Sequence, residues 1–168
     1  MAIVASDIKY YLSGGSSNTD PNASLGGAIS TTEMGSSINN LWDNVSGAET
    51  TSGDTEYRCI YVKNTHGSLT LLGSKIYIQT QTPSTDTSME IGLGSSAISG
   101  TEQTVANEST APTSITFTAL TGVGNALTIG DLAAGATKAI WFKRIVTAGG
   151  SAYNNDSLVF RVAGDTGA

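Results

Sequence analysis

The hydrophobic residues of this chain change their spacing near position 54. Beyond it they recur at alternate positions in short runs, and before it they are sparse and irregular. The densest run, Glu56-Tyr57-Arg58-Cys59-Ile60-Tyr61-Val62-Lys63-Asn64-Thr65, is rich in aromatic and β-branched residues, whose stiff χ1 rotors suit a pleated strand better than a helix. Two parity sets alternate along it, Tyr57/Cys59/Tyr61 and Arg58/Ile60/Val62, and both carry bulk. The pattern predicts a central strand covered by protein on both faces, without fixing which set looks into the core. Asn64-Thr65-His66-Gly67 has turn composition and Leu69 to Gln79 resumes as a strand, so a hairpin is expected here.

Downstream, Ser88 to Leu93 places Met89, Ile91 and Leu93 inward. Pro112 cannot donate to a ladder, which delays the next predicted strand to Ser114 through Leu120, with Ile115 and Phe117 on one face. Leu127 and Ile129 begin another. Lys138 to Val146 turns Ile140, Phe142 and Val146 one way and Ala139, Trp141 and Ile145 the other, and Ser157 to Val162 closes the series with Leu158, Phe160 and Val162 inward. Seven or eight such strands, separated by turns and lacking crossover helices, predict an all-β fold. It is expected to be an antiparallel β-sandwich, Ig-like or jelly-roll-like, over residues 54–168.

Upstream, Ile8 to Leu12 reads as a short strand with Tyr10 and Tyr11 on opposite faces. From Ser13 to about Gly53 strand periodicity is missing. A structureless loop that long is unusual inside a compact domain, so residues 1–53 read as an N-terminal strand followed by an extended arm. Leu25, Ile29, Met34, Ile38, Leu41, Trp42 and Val45 give the arm apolar contacts that a plain linker would lack. Ile38, Leu41, Trp42 and Val45 also share one helical stripe, which predicts a short helix near 37–46, capped by Ser36 or Ser37 and ended by Gly47. A helix so short must dock its Leu41/Trp42 face on its own sandwich or on a neighbour.

Composition then narrows the function. The 168 residues include 20 glycines, only 13% are charged, and the formal net charge is -6, which describes one turn-rich domain. An acidic chain with scattered Lys and Arg is not expected to grip nucleic acid, and no run approaches a membrane span. The N-terminus lacks the basic and apolar regions of a secretory signal, so synthesis in the cytoplasm is expected and sequon matches such as Asn44-Val45-Ser46 carry no weight.

Candidate chemistry is thin. One cysteine, Cys59, and one histidine, His66, cannot make a zinc set, and a Cys-His dyad would need them to meet around a turn. Cys59 is expected to be a packing residue and His66 a solvated turn residue. Asp20 to Gly26 opens like a calcium loop, but Thr31 stands where a bidentate Glu is needed and the glycine is displaced by one position, so a turn is expected. Asp54, Glu56, Glu90, Glu102 and Glu108 offer carboxylates for glycoside hydrolysis, with nothing to single out a pair. The chain is therefore not read as an enzyme, and no catalytic residue, metal or cofactor is expected. Trp141, with Trp42, Tyr77 and Tyr153, could offer an exposed aromatic face to a sugar.

The stretch Asn40-Leu41-Trp42-Asp43-Asn44-Val45-Ser46-Gly47-Ala48-Glu49, followed by Gly53-Asp54-Thr55-Glu56-Tyr57-Arg58-Cys59-Ile60-Tyr61-Val62-Lys63-Asn64, resembles a pattern in structural proteins of tailed phages and prophages. The resemblance continues through Leu69-Thr70-Leu71 and through Gly100 to Glu108. It implies a virion component made in the host cytoplasm, a capsid decoration or cement protein that stabilises the head shell by non-covalent contacts. Its partners would be the major capsid protein and its own copies, as a homotrimer, with no nucleic acid and no membrane. An arm that reaches across a lattice suits that role, because weak contacts to a repeated surface reinforce one another through effective concentration. Tyr10, Tyr11, Leu25, Ile29, Leu41 and Trp42 are the expected subunit and capsid contacts. The alternative is a tail- or fibre-associated sandwich that binds host-surface carbohydrate through Trp141.

Overall fold

In the computed structural model, which describes residues 2–151 and 153–167, seven antiparallel strands make two facing sheets of a β-sandwich. The strands are β1 (Ile8–Leu12), β2 (Asp54–Asn64), β3 (Leu71–Thr80), β4 (Thr87–Leu93), β5 (Leu127–Leu132), β6 (Thr137–Val146) and β7 (Val159–Thr166). One sheet has the order β1-β2-β6-β4 and the other β5-β3-β7. A single short helix, α1 (Gly47–Ser52), precedes β2 among the described residues.

The central strand is β2, and both of its faces are covered. Ile60 and Val62 look between the sheets, where they meet Ile91, Ile140 and Phe142 of their own sheet and Ile76, Ile78 and Leu132 of the other. The opposite set, Tyr57, Cys59 and Tyr61, joins Ala139 and Trp141 in a second buried cluster on the outer face of the four-stranded sheet. Leu25 and Ile29 from one long loop, and Val105, Ile115 and Phe117 from another, roof that cluster. Each fully buried large apolar side chain is worth about 1.5–3 kcal/mol, so hiding Tyr61 and Trp141 is what holds two otherwise polar segments against the sheet.

This roof is where the expected arm goes. Residues 13–53 do not leave the domain, and the boundary expected at 53/54 separates nothing. The Leu12 and Ser30 amides donate to Thr32 O and Leu12 O, and the Met34 amide to Tyr10 O, which continues the sheet past the edge of β1. Beyond the end of β1, the Cys59 and Tyr57 amides of β2 donate instead to Ser24 O and Glu108 O. Loop backbone therefore satisfies an edge that would otherwise be open to pairing. Irregular backbone can do this because it needs single bonds at the right places, with no two-residue repeat to betray it in the sequence.

Three further expectations are corrected. β3 is not the hairpin partner of β2, since it lies in the second sheet, and β2 already has β1 and β6 on its two edges. The crossing between sheets is fixed by Asn64, whose amide Nδ2 donates to Leu69 O and Leu132 O, and by half-buried His66, whose Nδ1 accepts from the Ser68 and Leu69 amides. Ser114 to Leu120 is not a strand: it makes one bridge, Thr118 to Ile91, and lies over Gly92. A Cβ at Gly92 would come within 2.5 Å of Ile115 Cγ2, so the glycine is what lets the segment settle on the sheet. Finally, the helix begins at Gly47 instead of spanning 37–46. Ser46 accepts from the Glu49 amide and the Glu49 carboxylate accepts from the Ser46 amide, a reciprocal cap that outcompetes the apolar stripe before it. Leu41 enters the core while Ile38 is 77% exposed, so the two never shared a face.

Candidate functional site

The polar centre of the molecule lies at one end of the sandwich, where charged residues occupy inward-facing strand positions. Glu56 and Arg58 follow the parity of Ile60 and Val62 on β2, and Arg144 of β6 is directly opposite Glu56 in register. All three are buried. The Arg144 guanidinium bonds the Glu56 carboxylate and reaches outward to the loop, with Nη1 2.8 Å from Asp43 O and Nη2 3.2 Å from Asp43 Oδ1. Arg58 bonds the Glu108 carboxylate, and its Nη2 is 3.3 Å from Asn22 Oδ1. The Trp42 ring packs on both cations, 5.2 Å from Arg58 Cζ and 4.9 Å from Arg144 Cζ. Desolvated cation–π contacts of this kind are worth about 2 kcal/mol. Trp42 and Asp43 thus clamp the first long loop onto the sandwich, and Glu108 does the same for the second. Burial pushes the Glu56 carboxyl above its ordinary range even though the charge and hydrogen bonds of Arg144 pull it down.

The six residues expected to contact subunits or capsid are spread over three places, and all are engaged within their own chain. Leu41 is buried in the main core, and Tyr10 packs beside that core with its ring edge-on to Phe160 at 5.0 Å. Tyr11, Leu25 and Ile29 pack on the outer cluster, and Trp42 sits in the clamp. Trp141, expected as an exposed aromatic, is wholly buried at 0% exposure, so it offers no face to a sugar and the carbohydrate reading loses its principal residue. Its parity with Ala139 was right, but the outer face it points to is roofed. Gly26 makes the contact possible: with φ +91° it lies against the indole, where a Cβ would be 3.1 Å from Trp141 Cζ2 and 1.9 Å from Gln103 O.

The remaining candidate groups resolve individually. Cys59 is fully buried and its thiol is pushed up by burial, so the nucleophilic thiolate is suppressed. Asp20 caps the turn Pro21–Ala23 by accepting from the Asn22 amide. Glu90 pairs with Lys143 at 2.9 Å, Glu108 with Arg58 and Glu56 with Arg144, so these three carboxylates are committed to separate partners, while Asp54 lies beside Glu56. Glu102 is buried and tied to the loop around it, accepting from the amide and hydroxyl of Ser95 and the amide of Ser96. Its own amide donates to the Tyr61 hydroxyl, which in turn donates to Gly27 O, so one network links β2 to both long loops.

That network makes stability depend on acid. Burial works to raise the Glu102 carboxyl, but hydrogen bonds from Ser96 and Ser95 outweigh it and hold it down at about 2, against an ordinary 4.5. The folded state therefore favours the carboxylate. Its contribution is complete above about pH 4.5 and is lost as pH falls from there through about 2. Urea unfolding across that window is expected to show a falling midpoint for the wild type and a flatter profile for Glu102→Gln; identical slopes would contradict the assignment.

The clamp itself was missed in the sequence, although a signal was present: Arg58 and Arg144 stand at positions whose parity assigns them to the buried face beside Ile60 and Phe142. The large apolar side chains left exposed among the described residues are Val4, Ile38, Ile98, Leu120, Val123 and Tyr153 on loops and turns, Leu72 on β3 and Val159 at the start of β7, so Tyr153 alone of the aromatics considered for a sugar face is exposed. Among the described residues, no helix is long and apolar enough to cross a membrane. Compared with protein-family models, with curated proteins and with solved structures, the chain has no significant match in any of the three.

Proposed function

We propose that this chain is a virion structural protein of a tailed phage or prophage, a decoration or cement subunit that binds the head shell through non-covalent contacts. One observation carries the reading. The strongest part of the resemblance to phage structural proteins, 40–64, forms one packed unit: Leu41 in the core, Trp42 and Asp43 in the clamp, the capped helix α1, and β2 with Glu56 and Arg58; its continuation through Gly100 to Glu108 lies on the second long loop and supplies the carboxylate that bonds Arg58. A shared pattern that coincides with a single structural unit is a better sign of common architecture than shared composition.

The contact surface differs from the one expected of a free arm. Tyr10, Tyr11, Leu25, Ile29, Leu41 and Trp42 build the subunit, and the exposed Ile38, Leu120, Val123 and Val159 meet the shell and neighbouring copies. The acidic balance keeps the free subunit apart from its copies until a repeated surface gathers them. The test is a density map of purified particles together with shell binding by an Ile38→Asp, Leu120→Asp double variant. The expected result is this chain on the head surface and at least a tenfold weaker hold for the variant, with unchanged folding. Absence of the chain from purified particles, or full occupancy by the variant, would count against the proposal.

A further inference from the structure

Glu49 in the first turn of α1, and Asp54 and Glu56 at the start of β2, form a carboxylate group of which the clamp uses only Glu56 Oε2. One ligand oxygen from each of the three lies within 4.8 Å of the others. Gly53, at φ +75°, turns the chain between helix and strand and so brings the helical residue beside the two on β2. Proximity of acids alone would mean little on a surface. Here Glu56 is 1% exposed and its Oε1 is buried without a hydrogen-bond partner, while Oε2 is held by Arg144. A desolvated carboxylate oxygen left bare costs free energy unless something positive meets it.

We propose that Glu49, Asp54 and Glu56 bind a divalent calcium ion at the α1–β2 corner. Each carboxylate is already oriented through one oxygen, by the Ser46 amide at Glu49 Oε2, the Thr55 amide at Asp54 Oδ1 and Arg144 at Glu56 Oε2. Outer hydrogen bonds of this sort are what position metal-binding carboxylates. The donors are all hard oxygens, which selects calcium or magnesium over zinc or copper. Calcium is the better fit because it accepts an irregular carboxylate set completed by water, whereas magnesium demands a near-ideal octahedron. Charge points the same way: Asp43 and Glu56 share the guanidinium of Arg144, and Glu49 and Asp54 add two further carboxylates beside Glu56. The ion ties α1 to β2 beside the clamp and so stiffens the corner where the first long loop re-enters the sandwich.

The experiment compares thermal unfolding of the full chain after EDTA treatment, with added calcium chloride or magnesium chloride, for the wild type and for an Asp54→Asn, Glu49→Gln double variant. Glutamine at 49 keeps an acceptor for the Ser46 amide, and the half-buried positions 49 and 54 leave the Glu56–Arg144 pair untouched, so the variant is expected to fold. Calcium at about a hundredfold excess over its Kd is expected to raise the wild-type midpoint by roughly 5–10 °C, reversed by EDTA. The variant should show no shift and a metal-free midpoint at or above that of the wild type. No shift with calcium, an equal shift with magnesium, or a shift retained by the variant overturns the proposal.

Discussion

Replacing Arg144 with alanine is expected to lower the stability of the metal-free protein by about 3–5 kcal/mol. The substitution strands the Glu56 carboxylate where almost no water reaches it and releases both contacts to Asp43 that hold the first long loop. The cost comes mainly from the charge left behind, not from the worth of the pair, because bringing an arginine and a glutamate out of water nearly offsets their attraction. Replacing both partners, as Glu56→Met with Arg144→Met, should therefore recover most of the loss. Urea unfolding of the two variants in EDTA separates the effects. A single variant as stable as the wild type would mean that Glu56 is hydrated or protonated and that the clamp holds nothing.

Gly26→Ala is expected to cost about 2–4 kcal/mol, the sum of backbone strain at positive φ and a collision that side-chain rotation cannot relieve. The offending neighbour is main chain, Gln103 O at 1.9 Å, so the two long loops must separate or the indole of Trp141 must lose its cover. Gly15→Ala provides the control. Gly15 has nearly the same dihedral, φ +97°, but nothing lies within 4 Å of where its Cβ would stand, so only the strain remains and the loss should be about 1–2 kcal/mol. Trp fluorescence should shift to the red in Gly26→Ala and not in Gly15→Ala. Equal losses in the two variants would show that the loops do not touch at Gly26.

What the sequence made legible was whatever repeats every two residues. The bulk on both parities of β2 announced a strand covered on both faces, and the alternation in β4, β6 and β7 sorted Met89, Ile140, Phe142 and Phe160 to the core as found. Tyr10 and Tyr11 divide between the two clusters as their neighbouring positions require. Sheet membership was not legible, because a turn such as Asn64 to Gly67 looks alike whether the chain pairs back or crosses over, and the choice depends on Leu132 O, far along the chain. The course of residues 13–53 was hidden for the related reason that its bonds go singly to Ser24, Leu25 and Thr32 at irregular intervals. Ile38, Leu41, Trp42 and Val45 gave a false helix: their spacing is a weak prior, and the Ser46/Glu49 cap one residue later fixed the start of α1 instead. The carboxylates at 49, 54 and 56 could be seen as acids, but only the burial of Glu56 and the turn at Gly53 make them a group.

The central claim is that residues 13–53 are a layer of the free subunit. Amide hydrogen exchange on the purified chain in solution measures it directly, read at Leu12, Ser30, Met34, Cys59 and Val105, whose N–H groups bond within or across that layer. The account predicts protection at these five amides close to that of the β2–β6 pairing, lost together on global unfolding. Rapid exchange at Ser30, Met34 and Val105, beside a protected β2 and β6, would mean that the segment is detached in the free molecule and would contradict it.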